Sequence, residues 1–330
     1  MATAAPTFVK GVDGTLSRPE GFAGQGRTND LDLRLRSRPV RLMNGVIGMR
    51  RSKGKVVVVT GAASGIGRAL AQQLAAKGAR LALSDVNARD LEQTVQSLPS
   101  GSDARAYTLD VSDRRAVFEH AEAVKRDFGG AHCVINNAGA TVVGTIANLS
   151  IEEIEWQIGV NLWGVIYGTK AFLPIFLEQR EGCIVNISSV FGLVGFPTQG
   201  AYNISKFGVR GLTECLWSEL DGTGVSAVCV HPGGIKTNID TGARRCVAAG
   251  VEEERFNADA EKMLLTTPDE CAADIIAGLE RGDRRIITGN KSSTLYWLCR
   301  LLPNRYPAVL KLLRTKAVHP LTAAEQRTNP

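Results

Sequence analysis

From Lys55 onward the chain alternates short apolar runs with longer segments of helical period. The runs 56–60, 81–84, 106–109, 133–135, 183–187 and 227–230 are apolar or nearly so, without strict alternation. Between them, 65–77, 89–98, 113–128, 151–178 and 201–220 repeat apolar residues at three- and four-residue spacing, the mark of helices. A strand that is apolar on both sides needs cover on both, and a helix between each pair of strands supplies it. A helix over 268–282 and a strand over 285–288 close the series. The pattern predicts an α/β fold, a single Rossmann-like doubly wound parallel sheet with helices on both faces, whose ligands collect at the carboxyl ends of the strands.

The two ends of the chain break this rhythm. Residues 1–52 scatter Gly, Pro, Arg and Thr without period and read as a disordered extension. An Arg-rich targeting peptide is disfavoured by Asp13, Glu20, Asp30 and Asp32, and Met49, just before the first strand, is an alternative start. Residues 53–290 carry the alternating pattern and are expected to form one domain. Residues 291–330 form a C-terminal amphipathic segment and tail, in which Trp297, Leu298, Leu301, Leu302, Leu310 and Leu313 mix with Arg300, Arg305, Lys311 and Arg314 around Pro303 and Pro307. Packing on its own domain or a sister subunit is the preferred reading of this stretch, and contact with a membrane surface is the alternative.

Composition narrows the function classes. Of 330 residues, 44% are hydrophobic and 22% charged, which is enough to bury a core, and no uninterrupted apolar run reaches the roughly 20 residues of a bilayer span. Seven cysteines, odd in number and without C-x-x-C spacing, favour a reducing, cytoplasmic setting. The net charge of +6 is uneven: residues 1–51 hold nine basic and four acidic side chains, whereas 52–330 hold 30 and 29. The folded part therefore lacks the basic balance that nucleic-acid binding requires.

Candidate chemistry begins with TGAASGIG at 60–67, between the first strand and the first helix. Glycines there let the backbone approach a pyrophosphate, which the helix N-terminus then meets with free N–H groups, so Gly61, Ser64, Gly65, Ile66 and Gly67 form a candidate dinucleotide loop. Asp85 ends the second strand about twenty residues further on, where a carboxylate can accept from both ribose hydroxyls of NAD but would face the 2′-phosphate of NADP. NAD is therefore favoured over NADP, since the neighbouring Arg68 and Arg89 read as helix-surface residues. Tyr202 and Lys206, four apart in a helix, share a face, so the ammonium can favour ionisation of the phenol. Ser189 stands at the rim of the fifth strand.

Together these motifs resemble the classical short-chain dehydrogenase/reductase family over about 54–290. The shared features, in order, are the glycine loop, Asp110, NNAG at 136–139, Asn161, ISS at 187–189, YNISK at 202–206, Pro232–Gly233 and Thr237. The resemblance implies that Tyr202 exchanges a proton with the substrate oxygen, that Ser189 positions that oxygen, and that Lys206 binds the nicotinamide ribose and lowers the Tyr202 pKa. Asn161 is implied to hold a water leading from Lys206 to solvent. Asp110 and Val111 are implied at the adenine, Asn137, Ala138 and Gly139 along the cofactor, and Pro232, Gly233 and Thr237 beside the nicotinamide, with Tyr202 and Lys206 also touching cofactor. In the family, the segment matching 235–266 closes over substrate.

Other residues have plainer readings. Ser188 should point away from Ser189 and serve structure. His132 and His231 lack metal-ligand spacing and read as core or strand-end histidines, and Glu252, Glu253 and Glu254 as a solvated face. Phe191, Phe196 and 140–143 occupy positions that line the substrate pocket in the resembled family, with an ordinary core role as the alternative. Helices 151–178 and 201–220 are apolar on more than one side, which predicts a homodimer or homotetramer. The expected function is hydride transfer between nicotinamide and a secondary alcohol or ketone. The alternatives are a membrane-surface reductase of lipid-like ketones or retinoids and a non-catalytic dinucleotide-binding scaffold.

Overall fold

The computed structural model describes Met49 and residues 51–237, 244–250 and 264–315. The first half of the chain runs β1 (Val56–Thr60), α1 (Gly65–Ala76), β2 (Arg80–Asp85), α2 (Ala88–Gln96), β3 (Ala104–Thr108), α3 (Arg114–Phe128), β4 (Cys133–Asn136) and the short β5 (Val142–Val143). There follow α4 (Ile151–Ile158), a π-turn at Gly159–Trp163, α5 (Gly164–Gln179), β6 (Gly182–Ile187), α6 (Gly200–Glu219) and β7 (Val225–Pro232). The short β8 (Arg244–Arg245), α7 (Pro268–Arg281), β9 (Arg285–Thr288), α8 (Ser292–Leu301) and α9 (Tyr306–Thr315) come last.

Seven strands form one parallel sheet in the order β3-β2-β1-β4-β6-β7-β9. The five-residue β1 shows why both sides need cover. Its Val57 and Val59 enter a core shared with α1 and α7, and its Val56 and Val58 enter a second core shared with α3, α5 and α6. All four are at most 1% exposed. The strand order reverses between β1 and β4, so the crevice at their carboxyl ends is where a ligand of a doubly wound sheet belongs. β5 and β8 pair in parallel, Val142 with Arg244 and Val143 with Arg245, fastening part of the segment after β7 beside the segment after β4.

Three boundaries depart from expectation. Met49 and Ser52 are 6% and 5% exposed, with Met49 in the core beside β1, so the ordered domain reaches back past residue 53; residues 1–48 lie outside the described residues. β3 starts two residues earlier than its apolar run, because as the outer strand it leaves Arg105, Ala106 and Thr108 exposed while Leu109 is buried beyond its end. The helix predicted over 151–178 is interrupted by the π-turn. The 29-residue stretch Ile151–Gln179 is apolar and long enough to cross a membrane by composition, yet half of its most apolar window is buried inside this protein, as befits a core helix.

Capping defines the elements around the crevice. Ser150 and Glu153 form a capping box at α4, and Thr267 and Glu270 form another at α7. The C-terminal segment divides into α8 and α9 around Pro303, with Pro307 tolerated in the first turn of α9.

Candidate active site

At the end of β1 the backbone must turn while keeping room for a ligand. Gly61 has φ +67°, a conformation that glycine adopts without strain, and a Cβ on Gly67 would run into the carbonyl oxygen of Gly61. Thr60 Oγ1 accepts from the backbone N–H of Asn137 and of Ala138, both at 3.0 Å. The Asn137 amide donates back to Thr60 O at 2.9 Å and Gly61 O at 3.2 Å. Ser64 precedes α1 without a side-chain cap, so the first-turn N–H groups of Gly65, Ile66 and Gly67 are available to an anion. Thr237 comes back to this loop: a Cβ on Gly65 would lie 3.2 Å from its Cγ2.

Asp85 ends β2 with both oxygens engaged. Oδ2 accepts from Ala63 N at 3.0 Å and Oδ1 from Asn87 N at 2.9 Å, which holds the carboxylate against the glycine loop. Arg68 corrects one expectation. Instead of lying on the helix surface it is half-buried, donating from Nε to Thr94 Oγ1 at 2.9 Å and from Nη2 to Ala63 O and Asp90 O, and so clamps the loop to α2. Arg89 is exposed, as a helix-surface residue should be. Asp110 accepts from Ser112 N at 2.8 Å and Ser112 Oγ at 2.7 Å, and Val111 is buried where a Cβ on Gly164 would strike it.

On the other side of the crevice α6 presents Tyr202 and Lys206. The Lys206 ammonium is 5.5 Å from the Tyr202 ring centroid and donates to Ile187 O at 3.0 Å. Only 2% of Lys206 is exposed, and burial brings its pKa down to about 8. Asn161 projects from the π-turn, accepting from Ala140 N and donating to Ala140 O, both at 2.8 Å. Gly139 sits between the two, for a Cβ there would lie 3.4 Å from Asn161 Oδ1 and 3.6 Å from Lys206 Nζ.

Ser189 follows β6 in extended conformation, its Oγ accepting from Phe191 N at 3.1 Å and lying 3.4 Å from Pro232 O. The hydroxyl of its neighbour Ser188 donates to Lys206 O at 2.8 Å, tying the end of β6 to α6. Gly233 N donates to Thr288 O at 3.0 Å, fixing the turn after Pro232 to β9. Phe191 stacks on Phe196 with centroids 5.2 Å apart and meets the Tyr202 ring edge-on at 6.0 Å, forming an apolar wall beside the phenol.

The fold thus gathers Asn161, Gly139, Ser189, Tyr202 and Lys206 at the carboxyl ends of β4 and β6, with Gly61, Ser64, Gly65, Ile66, Gly67, Asn137, Ala138 and Thr237 across the crevice and Pro232 and Gly233 at the end of β7. Asp85 lies on the far side of the glycine loop, and Asp110 is turned onto its own loop.

Two supporting residues escaped sequence reading. Asn203, beside the tyrosine, donates to Phe191 O at 2.7 Å and Val194 O at 2.8 Å and accepts from Phe196 N at 3.0 Å, so one amide shapes the aromatic loop. His231 is fully buried, and burial pushes its pKa down to about 4. A neutral ring facing the Ser189 carbonyl at 3.0 Å must carry its proton on Nδ1, so His231 braces the backbone of that serine. Its place beside a strand fits the plain reading, but the contact was not legible. His132, the other strand-end histidine, accepts from Val56 N at 3.1 Å. Of the 235–266 segment, residues 238–243 and 251–263 lie outside the described residues, and with them Glu252, Glu253 and Glu254.

Comparison with known proteins agrees with this geometry. Residues 55–247 match the family model described as short chain dehydrogenase. SadH of Mycobacterium tuberculosis, an oxidoreductase by name, is 43% identical over 262 residues, covering 78% of this chain and 94% of its own length. The 3-oxoacyl-[acyl-carrier-protein] reductase FabG of Thermotoga maritima is 38% identical over 230 residues, covering 67% and 93%. A crystal structure of a short chain dehydrogenase/reductase from Burkholderia phymatum in complex with NAD superposes with a TM-score of 0.71 at 30% identity, covering 82% of this chain and 99% of that one.

Proposed function

The chain belongs to the short-chain dehydrogenase/reductase family of oxidoreductases, and from that membership we propose that it moves a hydride between a nicotinamide cofactor and a secondary alcohol or its ketone, with Tyr202 as general acid–base. The observation that carries this reading is the joint placement of Tyr202, Lys206, Ser189 and Asn161 at one rim, facing a glycine loop that leaves an anion cradle open. Bound nicotinamide would accept or supply the hydride at the substrate carbon. In the oxidative direction Tyr202 takes the hydroxyl proton as the C–H hydride leaves, and in reduction it returns that proton to the oxygen. Lys206, buried and cationic at neutral pH, favours the phenolate and faces the cofactor ribose. Ser189 turns its hydroxyl from Pro232 O to the substrate oxygen, held in place by Phe191 N and, through its carbonyl, by His231. Asn161 lines a proton route from Lys206.

We assign NAD as the preferred cofactor. Asp85 is fixed at the loop by Ala63 N and Asn87 N, and the Arg68 guanidinium is committed to Thr94, Ala63 and Asp90, so a 2′-phosphate would meet a carboxylate with that cation already engaged. We also assign a homo-oligomer formed through α5 and α6. Ile204 and Phe207 are 50% and 39% exposed on α6, and Trp163, 48% exposed at the end of the π-turn just before α5, stacks on Tyr167 of α5. That much apolar surface on helices flanking the site calls for cover.

Tyr202→Phe tests the mechanism. Turnover with the best alcohol of a size-graded panel should fall at least about a thousandfold, while dinucleotide binding measured by nicotinamide fluorescence stays within about threefold. A variant that keeps near-native kcat would refute the assignment.

A further inference from the structure

The charge of this protein is partitioned. Residues 52–290 carry 23 basic and 28 acidic side chains, a balance of −5, whereas residues 291–330 carry seven basic and one acidic, a balance of +6. That basic stretch includes α8 and α9, whose inner faces are fixed to the walls of the active site. Ser292, at the start of α8, is buried with its hydroxyl 2.5 Å from where a Cβ on Gly233 would be. The Tyr296 ring lies 5.6 Å from the Arg285 guanidinium, and Tyr306 at the start of α9 accepts at its hydroxyl from Gly195 N at 3.4 Å.

The outer face combines exposed apolar side chains with cations. Trp297, Leu301 and Leu302 are 56%, 70% and 40% exposed, with exposed Lys291, Arg300 and Arg305 around them. Trp297, Arg300 and Leu301 stand at i, i+3 and i+4 and so share one side of α8; Ala308, Lys311 and Leu312 repeat that spacing of apolar, basic and apolar residues on the exposed side of α9. Exposed Trp and Leu interleaved with cations match the headgroup boundary of an anionic bilayer, where the ring is half in hydrocarbon and each cation meets negative lipid.

We propose that α8 and α9 dock the enzyme on an anionic lipid bilayer surface. Because Ser292 abuts Gly233 and Tyr306 abuts the loop after Ser189, this contact sets the active-site mouth at the edge of the membrane. A second copy of the chain is a poorer occupant. Pairing these faces about a two-fold axis would bring like charge to like charge, and seating one of them on the acidic remainder of another copy would be a head-to-tail contact.

The test uses the full chain and separates binding from catalysis. Co-sedimentation is measured with vesicles of phosphatidylcholine alone and of phosphatidylcholine containing about one-third phosphatidylserine, at low and high salt. Wild type should bind the mixed vesicles at low salt, lose binding at high salt and ignore the neutral ones. Arg300→Gln combined with Arg305→Gln should lower the partition coefficient about thirtyfold, and Trp297→Ala combined with Leu301→Ala about tenfold. Both double variants should keep wild-type melting temperature and turnover of a water-soluble alcohol. No binding by wild type, or binding that both double variants retain, would overturn the proposal. So would a fall in molar mass of the Trp297→Ala, Leu301→Ala variant in light scattering without any vesicle binding, which would assign the face to a second copy. The wild-type contrast between the two vesicle types needs no variant, and a failure of the dehydrogenase chemistry would leave it unchanged.

Discussion

The two walls of the crevice are built on different terms. On the glycine-loop wall the side chains that shape the loop already have protein partners at ordinary distance: Thr60 with Asn137 and Ala138, Asp85 with Ala63 and Asn87, Arg68 with Thr94. On the α6 wall the groups that would meet substrate are held less completely. Lys206 is buried with its charge, and Ser189 Oγ, which accepts from Phe191 N, donates only over a long 3.4 Å to Pro232 O. The first wall is shaped before anything binds, and its stability and its ligand affinity rise together. The second keeps donors in reserve for a reaction, and there stability and activity oppose each other.

Lys206→Met should break that opposition most visibly. Turnover should fall at least about a thousandfold with the loss of the cation beside Tyr202, while the ligand-free fold gains about 2 kcal/mol in urea unfolding because a desolvated charge has been replaced by an apolar chain of similar length. The sign with pH follows. Burial depresses the Lys206 pKa from 10.5 to about 8, so the penalty is fully present below pH 8 and fades as pH rises toward 10.5, where the unfolded chain also loses the proton. The stability gap between variant and wild type should therefore close above pH 8. A variant less stable than wild type at pH 7 would contradict this view of the α6 wall.

On the opposite wall, Gly67→Ala should lose on both counts. Its Cβ would meet Gly61 O and approach the Asn137 amide at 2.7 Å, so stability should drop by about 1–3 kcal/mol and dinucleotide affinity should drop with it. Unchanged affinity in a fluorescence titration would show that the loop is not the cradle. The smallest effect concerns selectivity. Asp85→Ser should shift the NAD to NADP ratio of kcat/KM about tenfold toward NADP, equivalent to about 1.4 kcal/mol. A wild type that already prefers NADP would locate discrimination elsewhere.

How far the sequence foretold this arrangement depended on whether a residue's partner lay nearby in pattern or distant in space. β1, β4 and β6 were legible because strands covered on both faces must be apolar throughout, and Val57, Ile135 and Val185 are all fully buried. The glycine loop and the Tyr202/Lys206 spacing were legible because their geometry is local. Arg68 was misread because its acceptors, Thr94 and Ala63, meet it only after β2 and α2 are in place. Asn203 was missed for the same reason, since its bonds reach nine and twelve residues back to a loop without periodicity. Which side of α8 would face outward was not legible, because an apolar residue in sequence does not declare which way it faces: Trp297 and Leu301 are exposed while Ser292 is buried.

The π-turn at Gly159–Trp163 has a further consequence, best expressed as angular phase. An α-helix advances about 100° per residue, and a single wide turn takes up roughly one residue more than the regular spiral has room for. α4 and α5 therefore keep the facing they would have in one unbroken helix from which a single residue had been removed. Asn161 sits in that surplus, and from it the amide reaches both the N–H and the carbonyl of Ala140. Loss of one residue there would restore an ordinary helix with Phe172 and Phe176 still turned to the core, while the amide was carried away from the strand end it serves.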